Sequence, residues 1–384
     1  MTSRISIKSN VLKWAILKSN KDFKIIEEKF PKLKSWLSNE MNPTFKQVQS
    51  LSSFLNIPFG YLLIDTPPKE DLELLKFRTL NSQEDDNPSR ELIDTINDMK
   101  TKQSWMKNYL IEEGYDSNHI VNRLNINQNT THLADKLREL IDLPINWYEY
   151  QRTNVYKYMR NKLSYNGILM MQNGIAKNNT HRPLNVAEFR AFCLIDEYAP
   201  LIFINTKDSE NGKIFSMLHE LAHIGLGTES IFNDETYKVQ NEYTKIEAKC
   251  NEIAAEILVP NNQFTIEWST THLKNNKDKI NELSNKFIAS NIVIARRALD
   301  NKFISKKLYN EVVDETTEIL KNYFKPKSSG GNAVNNAKSR LDTNFALAVS
   351  DGLKNGRALY SDIYKLAGVK PKMFGKIVES MEEI

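Results

Sequence analysis

The residues with the clearest chemical potential lie in the segment Phe215–Ile224, F-S-M-L-H-E-L-A-H-I. His219 and His223 are four residues apart, so on a helix both imidazoles lie on one face and can bind one metal ion. Glu220 lies beside them and can hold a water molecule there as a general base. Most other residues of the segment are apolar, which predicts a buried helix. A metal ion satisfies two buried imidazoles and a carboxylate more simply than several separate hydrogen-bond partners would.

A zinc ion needs a third protein ligand and, for catalysis, an open fourth position. The candidates lie on the next predicted helix, Glu242–Leu258, whose apolar residues form one stripe. Glu247 flanks this stripe with Asn251, and we favour Glu247 as the ligand. Asn251 is expected to support the site without binding the metal. The rivals are Glu242, Glu252 and Glu256, of which Glu256 is the main competitor. Glu252 lies on another side of the helix, where exposure to solvent is the simplest explanation for a carboxylate.

Apolar runs bounded by turn residues predict strands ahead of these two helices. Three strands followed by two strong helices predict a small α+β domain. An extended peptide can add to the edge of a sheet, so we expect the last strand to bind a peptide substrate. The predicted strands are Gly167–Met171, Ala191–Ile195 and Leu201–Asn205. The residues expected to contact substrate are Ile202, Phe203, Ile204 and Asn205.

Three blocks of the sequence carry a resemblance to one known family. The block around the histidines is close to F-T-L-x-H-E-L-x-H, and the block that starts at Glu247 is close to E-x-x-A-N-x-F-A-A-x-L-L-x-P. On these motifs the chain resembles the ImmA/IrrE family of zinc metallo-endopeptidases with an N-terminal XRE-type helix-turn-helix. The blocks are Pro200–Asn205, Phe215–His223 and Glu247–Pro260. The departures are Ser216, Cys250 and Ile253 in place of Thr, Ala and Phe, and none of them removes a ligand.

The resemblance implies zinc as the cofactor and Glu220 as the general base of a zinc-dependent endopeptidase. It implies a protein substrate, a transcriptional repressor that is often itself a helix-turn-helix protein. The cellular context would be stress response or control of a mobile element. The implied zinc ligands are His219, His223 and Glu247. The donor that stabilises the oxyanion is not identified, and the candidates by residue type are Tyr237, Tyr243 and His181.

The N-terminal segment 1–66 is basic, with ten Lys or Arg and five Asp or Glu. Its stretch Trp36–Thr44 resembles the W-E-x-G-x-x-x-P-T motif of XRE helix-turn-helix domains, with Asn39 in place of the glycine. Positive charge favours phosphate contacts, and the start of a recognition helix reads bases. The predicted recognition helix is a turn short, so protein docking is the alternative to DNA binding. The residues predicted to contact DNA are Lys32, Lys34 and Ser35.

The predicted fold is mainly α with a small α+β zincin-like peptidase domain, an N-terminal helix-turn-helix bundle and C-terminal helical segments. Pro326–Asn332 is rich in Ser and Gly and predicts a flexible linker. Leu75–Thr79 resembles a stretch that is common between the two domains of this family. The predicted segments are 1–66 (helix-turn-helix), 67–150 (helical linker arm), 151–275 (zincin-like metallopeptidase core), 276–325 (helical extension) and 333–384 (small C-terminal helical region).

The composition of the chain limits the classes of protein to which it can belong. The chain has 384 residues, of which 40% are hydrophobic and 26% charged, with two cysteines. These values exclude a disordered polymer and a disulfide framework. No run approaches about 18 apolar residues, so we expect a cytoplasmic protein without a membrane partner. The leading hypothesis is the endopeptidase, and the alternative is a DNA-binding transcription regulator with a sensory or structural metal site.

Overall fold

The computed structural model describes residues 4–19, 21–68, 88–228, 230–232, 242–323 and 332–382. The chain divides into two compact units, Met1–Asn97 and Asp98–Ile384. Three features singled out in the sequence lie outside the described residues. They are the stretch Leu75–Thr79, Tyr237, and the linker Pro326–Asn332 except for its last residue.

The first unit consists of short helices around a small apolar core. Thr44 Oγ1 accepts a hydrogen bond from the Gln47 amide at 3.3 Å, and Gln47 Oε1 accepts one from the Thr44 amide at 2.8 Å. This reciprocal cap fixes the start of the helix Phe45–Leu55. Asn39, at the position of the family glycine, has a φ of 60°. The helices are α1 (Ser9–Lys18), α2 (Phe23–Lys29), α3 (Leu33–Leu37) and α4 (Phe45–Leu55).

The described part of the second unit is mainly helical with one small sheet, which confirms the mainly α fold with a small α+β part. Its first helix begins before the boundary between the units. No helix in the described ranges is both long enough and apolar enough to cross a membrane. The helices are α5 (Arg90–Glu112), α6 (Thr130–Leu140), α7 (Trp147–Tyr150), α8 (Val155–Tyr165), α9 (Glu210–Leu226), α10 (Glu242–Leu258), α11 (Asn261–Thr270), α12 (Asn276–Phe287), α13 (Asn291–Asp300), α14 (Lys306–Tyr323), α15 (Ala333–Arg340), α16 (Thr343–Lys354), α17 (Tyr360–Ala367) and α18 (Pro371–Glu382).

The sheet has four strands within the described residues: β1 (Leu169–Asn173), β2 (Ala191–Leu194), β3 (Leu201–Asn205) and β4 (Ser230–Phe232). Their order is β1-β3-β2-β4. β3 pairs in parallel with β1 and antiparallel with β2, and β4 pairs antiparallel with β2. Every residue of β2 and β3 is buried, which explains their continuous apolar sequences. β4 was not predicted, because three residues carry too little pattern.

One hydrophobic core joins the sheet to the helices that face it. α9 packs against β2, β3 and α10, and α6 packs against α10. Leu137 of α6, Ile202 of β3 and Leu218 of α9 all belong to this core. α6 is therefore part of the body that contains the histidines, although it falls in the predicted linker arm. The five-segment division stays a prediction, because the structure separates the chain only between Asn97 and Asp98.

The outer edge of β1 is covered by side chains. Asp342 Oδ2 accepts a hydrogen bond from the Met170 amide at 3.2 Å. Arg160 Nη2 donates to the Met170 carbonyl at 2.8 Å and to the Leu341 carbonyl at 2.6 Å. Asp342 also caps α16, since its Oδ1 accepts from the Phe345 amide at 3.0 Å. The edge of β1 is thus unavailable for pairing with another strand.

Candidate metal centre

The two histidines lie in the second half of α9. This helix starts after Ser209, whose Oγ accepts a backbone hydrogen bond at 3.1 Å, and it ends at Gly227, which has a φ of 71°. Glycine adopts this left-handed conformation without strain, so the chain can leave the helix at once. The side chains of His219, Glu220 and His223 are fully buried.

Ligand atoms from α9 and α10 converge at one point. His219 Nε2 and His223 Nε2 are 3.1 Å apart. Glu247 places one carboxylate oxygen 3.1 Å from His219 Nε2 and the other 3.2 Å from His223 Nε2. A tetrahedral site with ligand distances of about 2.0–2.1 Å has edges of about 3.3 Å. The three separations therefore fit one small metal ion between these residues.

Two further side chains orient the imidazoles. Asn251 Oδ1 lies 2.9 Å from His219 Nδ1, and Thr228 Oγ1 lies 3.0 Å from His223 Nδ1. An amide oxygen can only accept, so His219 carries its proton on Nδ1 and directs the lone pair of Nε2 toward the other ligand atoms. A histidine that binds a metal through Nε2 needs this tautomer.

The charge of the site also fits a cation. Burial alone would raise the pKa of Glu247, but the imidazoles of His223 and His219 hold it well below its usual value. The carboxylate is therefore ionised. Its Oε1 atom is buried and, apart from the His223 imidazole at 3.2 Å, has no hydrogen-bond partner within the described residues. A divalent metal ion would satisfy this oxygen and both imidazole nitrogens together.

Residues 167–299 match the Peptidase_M78 family. The description of this family model is IrrE N-terminal-like domain. The matched range contains the four strands, α9 and Glu247, and it supports a metallopeptidase-like function. A comparison with curated proteins found no match. The ImmA/IrrE resemblance is thus supported for the Peptidase_M78-like region, which is where its motifs lie.

The competing carboxylates of the Peptidase_M78-like region lie outside this cluster of ligand atoms. Glu256 Oε2 pairs with Arg297 Nη2 at 2.6 Å, and Glu256 Oε1 accepts from the Asn261 amide at 3.1 Å. Glu252 is exposed and accepts from the Thr130 hydroxyl at 2.8 Å. Of these three carboxylates of α10, the structure brings the one at position 247 to the histidines.

The prediction that β3 binds a peptide by edge addition is wrong. β3 lies between β1 and β2, so the backbone of Ile202, Phe203 and Ile204 is paired within the sheet. Asn205 is fully buried, and its Nδ2 donates to the Phe189 carbonyl at 3.1 Å. A buried apolar run shows that a strand is internal to the fold but not where it lies in the sheet. Of the two outer strands described, β1 is capped, which leaves the outer edge of β4.

The residues predicted to contact DNA belong to the first unit. Lys32 is exposed, whereas Lys34 pairs with Glu27 at 2.6 Å between Nζ and Oε1. Ser35 is half-buried, and its carbonyl accepts from the Met41 amide at 3.1 Å. α3, which contains Lys34 and Ser35, has five residues, in agreement with the short spacing in the sequence.

Sequence reasoning missed Thr228, which orients His223. A threonine directly after the glycine that ends a helix is too common to indicate such a role.

Asn251 also lines a cavity of about 510 Å³ beside the site. Among the candidate oxyanion donors His181 is exposed, whereas Tyr237 and the side chain of Tyr243 lie outside the described residues.

Proposed function

We propose that the chain is a zinc-dependent endopeptidase. The observation that carries this proposal is the convergence of His219, His223 and Glu247 at 3.1–3.2 Å. Two imidazoles and one carboxylate suit zinc, and three protein ligands leave a fourth coordination position for catalysis. The Peptidase_M78 match of residues 167–299 supports the same function.

Zinc bound at this site would act as a Lewis acid that polarises the scissile carbonyl. Glu220 follows His219 on the same buried helix, and its carboxylate accepts a proton from the attacking water. Glu220 then donates this proton to the leaving amine nitrogen as the peptide bond breaks. Asn251 and Thr228 hold the two imidazoles in place during these steps.

The proposed substrate is an extended segment of a protein. β4 starts two residues after Thr228, and Thr228 contacts the candidate ligand His223. The strand therefore begins close to the site along the chain. An extended peptide can pair with its outer edge as an additional strand. The ImmA/IrrE resemblance makes a helix-turn-helix transcriptional repressor the proposed protein, with its cleavage serving stress response or control of a mobile element.

The test compares the wild-type chain with Glu220→Gln, which keeps every ligand and removes the base. Both are loaded with zinc and incubated with a bacterial proteome extract, and new N-termini are identified by labelling and mass spectrometry. We expect cleavage products with the wild type and none with Glu220→Gln. The exposed Glu252→Gln is the matched control and should behave as wild type. The same N-termini from Glu220→Gln would end this proposal.

Metal content gives a second, independent measurement. The wild type and Glu220→Gln should each retain one equivalent of zinc after gel filtration, because neither lacks a ligand. His219→Ala should lose it, because only two ligands remain. A full equivalent in His219→Ala would contradict the ligand assignment.

A second candidate function is DNA-binding transcription regulation with a sensory or structural metal site. The excess of basic residues in 1–66 favours it. This function predicts sequence-specific DNA binding that is the same in wild type and Glu220→Gln. Gel-shift titrations against random DNA measure the preference directly, and its absence would contradict this function.

A further inference from the structure

The C-terminal helices α16, α17 and α18 have the order and the turn length of a helix-turn-helix. α17 has eight residues and α18 has twelve, and the turn Gly368–Lys370 joins them. α16 packs against both helices. A helix-turn-helix joins its two helices by a turn of three or four residues that often contains glycine. The buried residues that hold the helices together are Phe345, Val349, Ile363, Leu366, Ala367, Phe374, Ile377 and Val378.

The turn is tightly specified. Gly368 has a φ of 68°, a conformation that side chains other than glycine's rarely adopt. A Cβ atom at this position would also lie 2.1 Å from Asn178 Nδ2. Asn178 Nδ2 instead donates a hydrogen bond to the Gly368 carbonyl at 3.1 Å. The turn therefore holds α18 in a defined direction relative to the sheet.

The turn before α18 and the first half of its exposed face are basic, whereas Glu379 and Glu382 are exposed in its last turn. Lys370, Lys372 and Lys376 are exposed, and the chain has no acidic residue between Lys365 and Val378. In the described part of the chain none of these three lysines pairs with a carboxylate. This differs from Lys34 of the first unit, which is neutralised by a glutamate.

Two further features of this surface favour a macromolecular ligand. Gly375 lies on the same exposed side of α18, and a Cβ there would meet nothing within 4 Å. Glycine inside a helix costs about 0.5–1 kcal/mol relative to alanine, and here no intramolecular packing requires it. A bare backbone lets another molecule approach closely. Tyr360 and Tyr364 on α17 are also 73% and 69% exposed.

We propose that α17 and α18 form a site for double-stranded DNA, with α18 in the major groove. The first turn of a recognition helix contacts base edges, and Lys370 and Lys372 lie at this end of α18. Lysine donates hydrogen bonds to guanine O6 and N7 and to phosphate oxygens. A helix of twelve residues is about 18 Å long, which suffices to cross the groove.

This site meets two conditions that the predicted N-terminal site lacks. α3 spans five residues, whereas α18 spans twelve and can present two successive turns to a groove. The lysines of α18 are also available to phosphates without breaking an ion pair, whereas Lys34 of α3 would first have to separate from Glu27. The site is independent of the proposed peptidase chemistry, and so is its test.

The test measures anisotropy of a fluorescent 30-base-pair random DNA duplex titrated with the full chain. The variant replaces Lys370, Lys372 and Lys376 with alanine. We expect it to bind the duplex about tenfold more weakly or worse, because interactions with phosphates dominate affinity. The slope of log affinity against log salt should also fall, by up to about 0.9 for each phosphate that the variant no longer neutralises.

The matched control replaces three exposed lysines elsewhere in the second unit and should bind as wild type. Lys372→Arg with Lys376→Arg keeps the charge and should retain duplex binding, while thermal melting checks that each variant is folded. The proposal is overturned if the wild type does not bind duplex DNA, if both triple variants weaken equally, or if single-stranded RNA binds more tightly than the duplex. The control positions are Lys274, Lys306 and Lys307.

Discussion

Two carboxylates of α10, nine residues apart, are in different surroundings. Glu247 lies against the histidines, whereas Glu256 neutralises Arg297, whose side chain is 13% exposed. We expect Glu247→Ala to lose zinc and Glu256→Ala to keep it. Glu256→Ala should instead lower the free energy of unfolding by about 3–5 kcal/mol, because it leaves a buried guanidinium unpaired.

Zinc content and urea unfolding of the chelated proteins measure the two effects separately. The exposed Glu252→Ala should match the wild type in both. Loss of zinc from Glu256→Ala with retention in Glu247→Ala would reverse the assignment of these residues.

Asn251 gives a second prediction at the residue scale. Its Oδ1 accepts from His219 Nδ1, so Asn251→Ala should weaken zinc binding by about 10–100-fold, as seen when partners behind metal ligands are removed. Asn251→Asp restores an acceptor and should recover most of the affinity. Competition with a chromophoric chelator measures this, and Asn262→Ala, exposed on α11, serves as the control. An unchanged affinity in Asn251→Ala would show that this hydrogen bond does not support the site.

The histidine spacing could be read from the sequence because helical geometry alone places His219 and His223 together. The sequence could favour Glu247 over Glu256 as the third ligand but could not decide between them. Glu256 is paired with Arg297, which lies 41 positions away in the chain. The contact between Thr228 and His223 could not be predicted for a similar reason. Its role depends on where the chain turns after α9.

Among the elements, the strand positions were largely predictable and the strand order was not. Apolar runs mark β1, β2 and β3 within two residues, since each is buried. The position of β3 between two partners depends on how the chain crosses over, and local sequence does not record this. The substrate prediction failed for that reason.

The covered edge of β1 predicts an element-scale effect on stability. Asp342→Ala would leave the Met170 amide without its partner and remove the cap of α16. An unsatisfied buried donor costs about 1–3 kcal/mol and removal of a cap about 1 kcal/mol, so we expect a decrease of about 2–4 kcal/mol in the free energy of unfolding. Chemical denaturation of the zinc-loaded protein measures it. Asp314→Ala, at an exposed position of α14, should change little, and equal decreases in both variants would contradict the role of the edge.

At the scale of the whole molecule, zinc should stabilise the unit that contains its ligands. Binding to the folded state at 1,000 times Kd adds about 4 kcal/mol. In calorimetry, increasing zinc should raise the midpoint temperature of one unfolding transition, and a chelator should reverse this shift. A second transition that does not respond would belong to Met1–Asn97, which has its own core. No zinc-dependent shift in the wild type would contradict a metal site between α9 and α10.

The net charge of residues 1–66 indicates DNA binding by the N-terminal segment. The C-terminal helices were not indicated because acidic residues nearby nearly balance their lysines, although Lys370, Lys372 and Lys376 are the charged residues between Lys365 and Glu379. Charge averaged over a segment conceals such a surface, and the burial pattern of α18 is needed to show that these lysines are exposed.

The contact between Asp342 and β1 also limits how this chain can be shortened. A protein ending after Tyr323 would lack Asp342 and Leu341, so the Met170 amide and Arg160 would be without partners that the full chain provides. An uncovered strand edge is a template for pairing with other chains. Truncated versions made to isolate the Peptidase_M78-like region should therefore self-associate, and measurements of the proposed activity belong on the chain that includes Asp342.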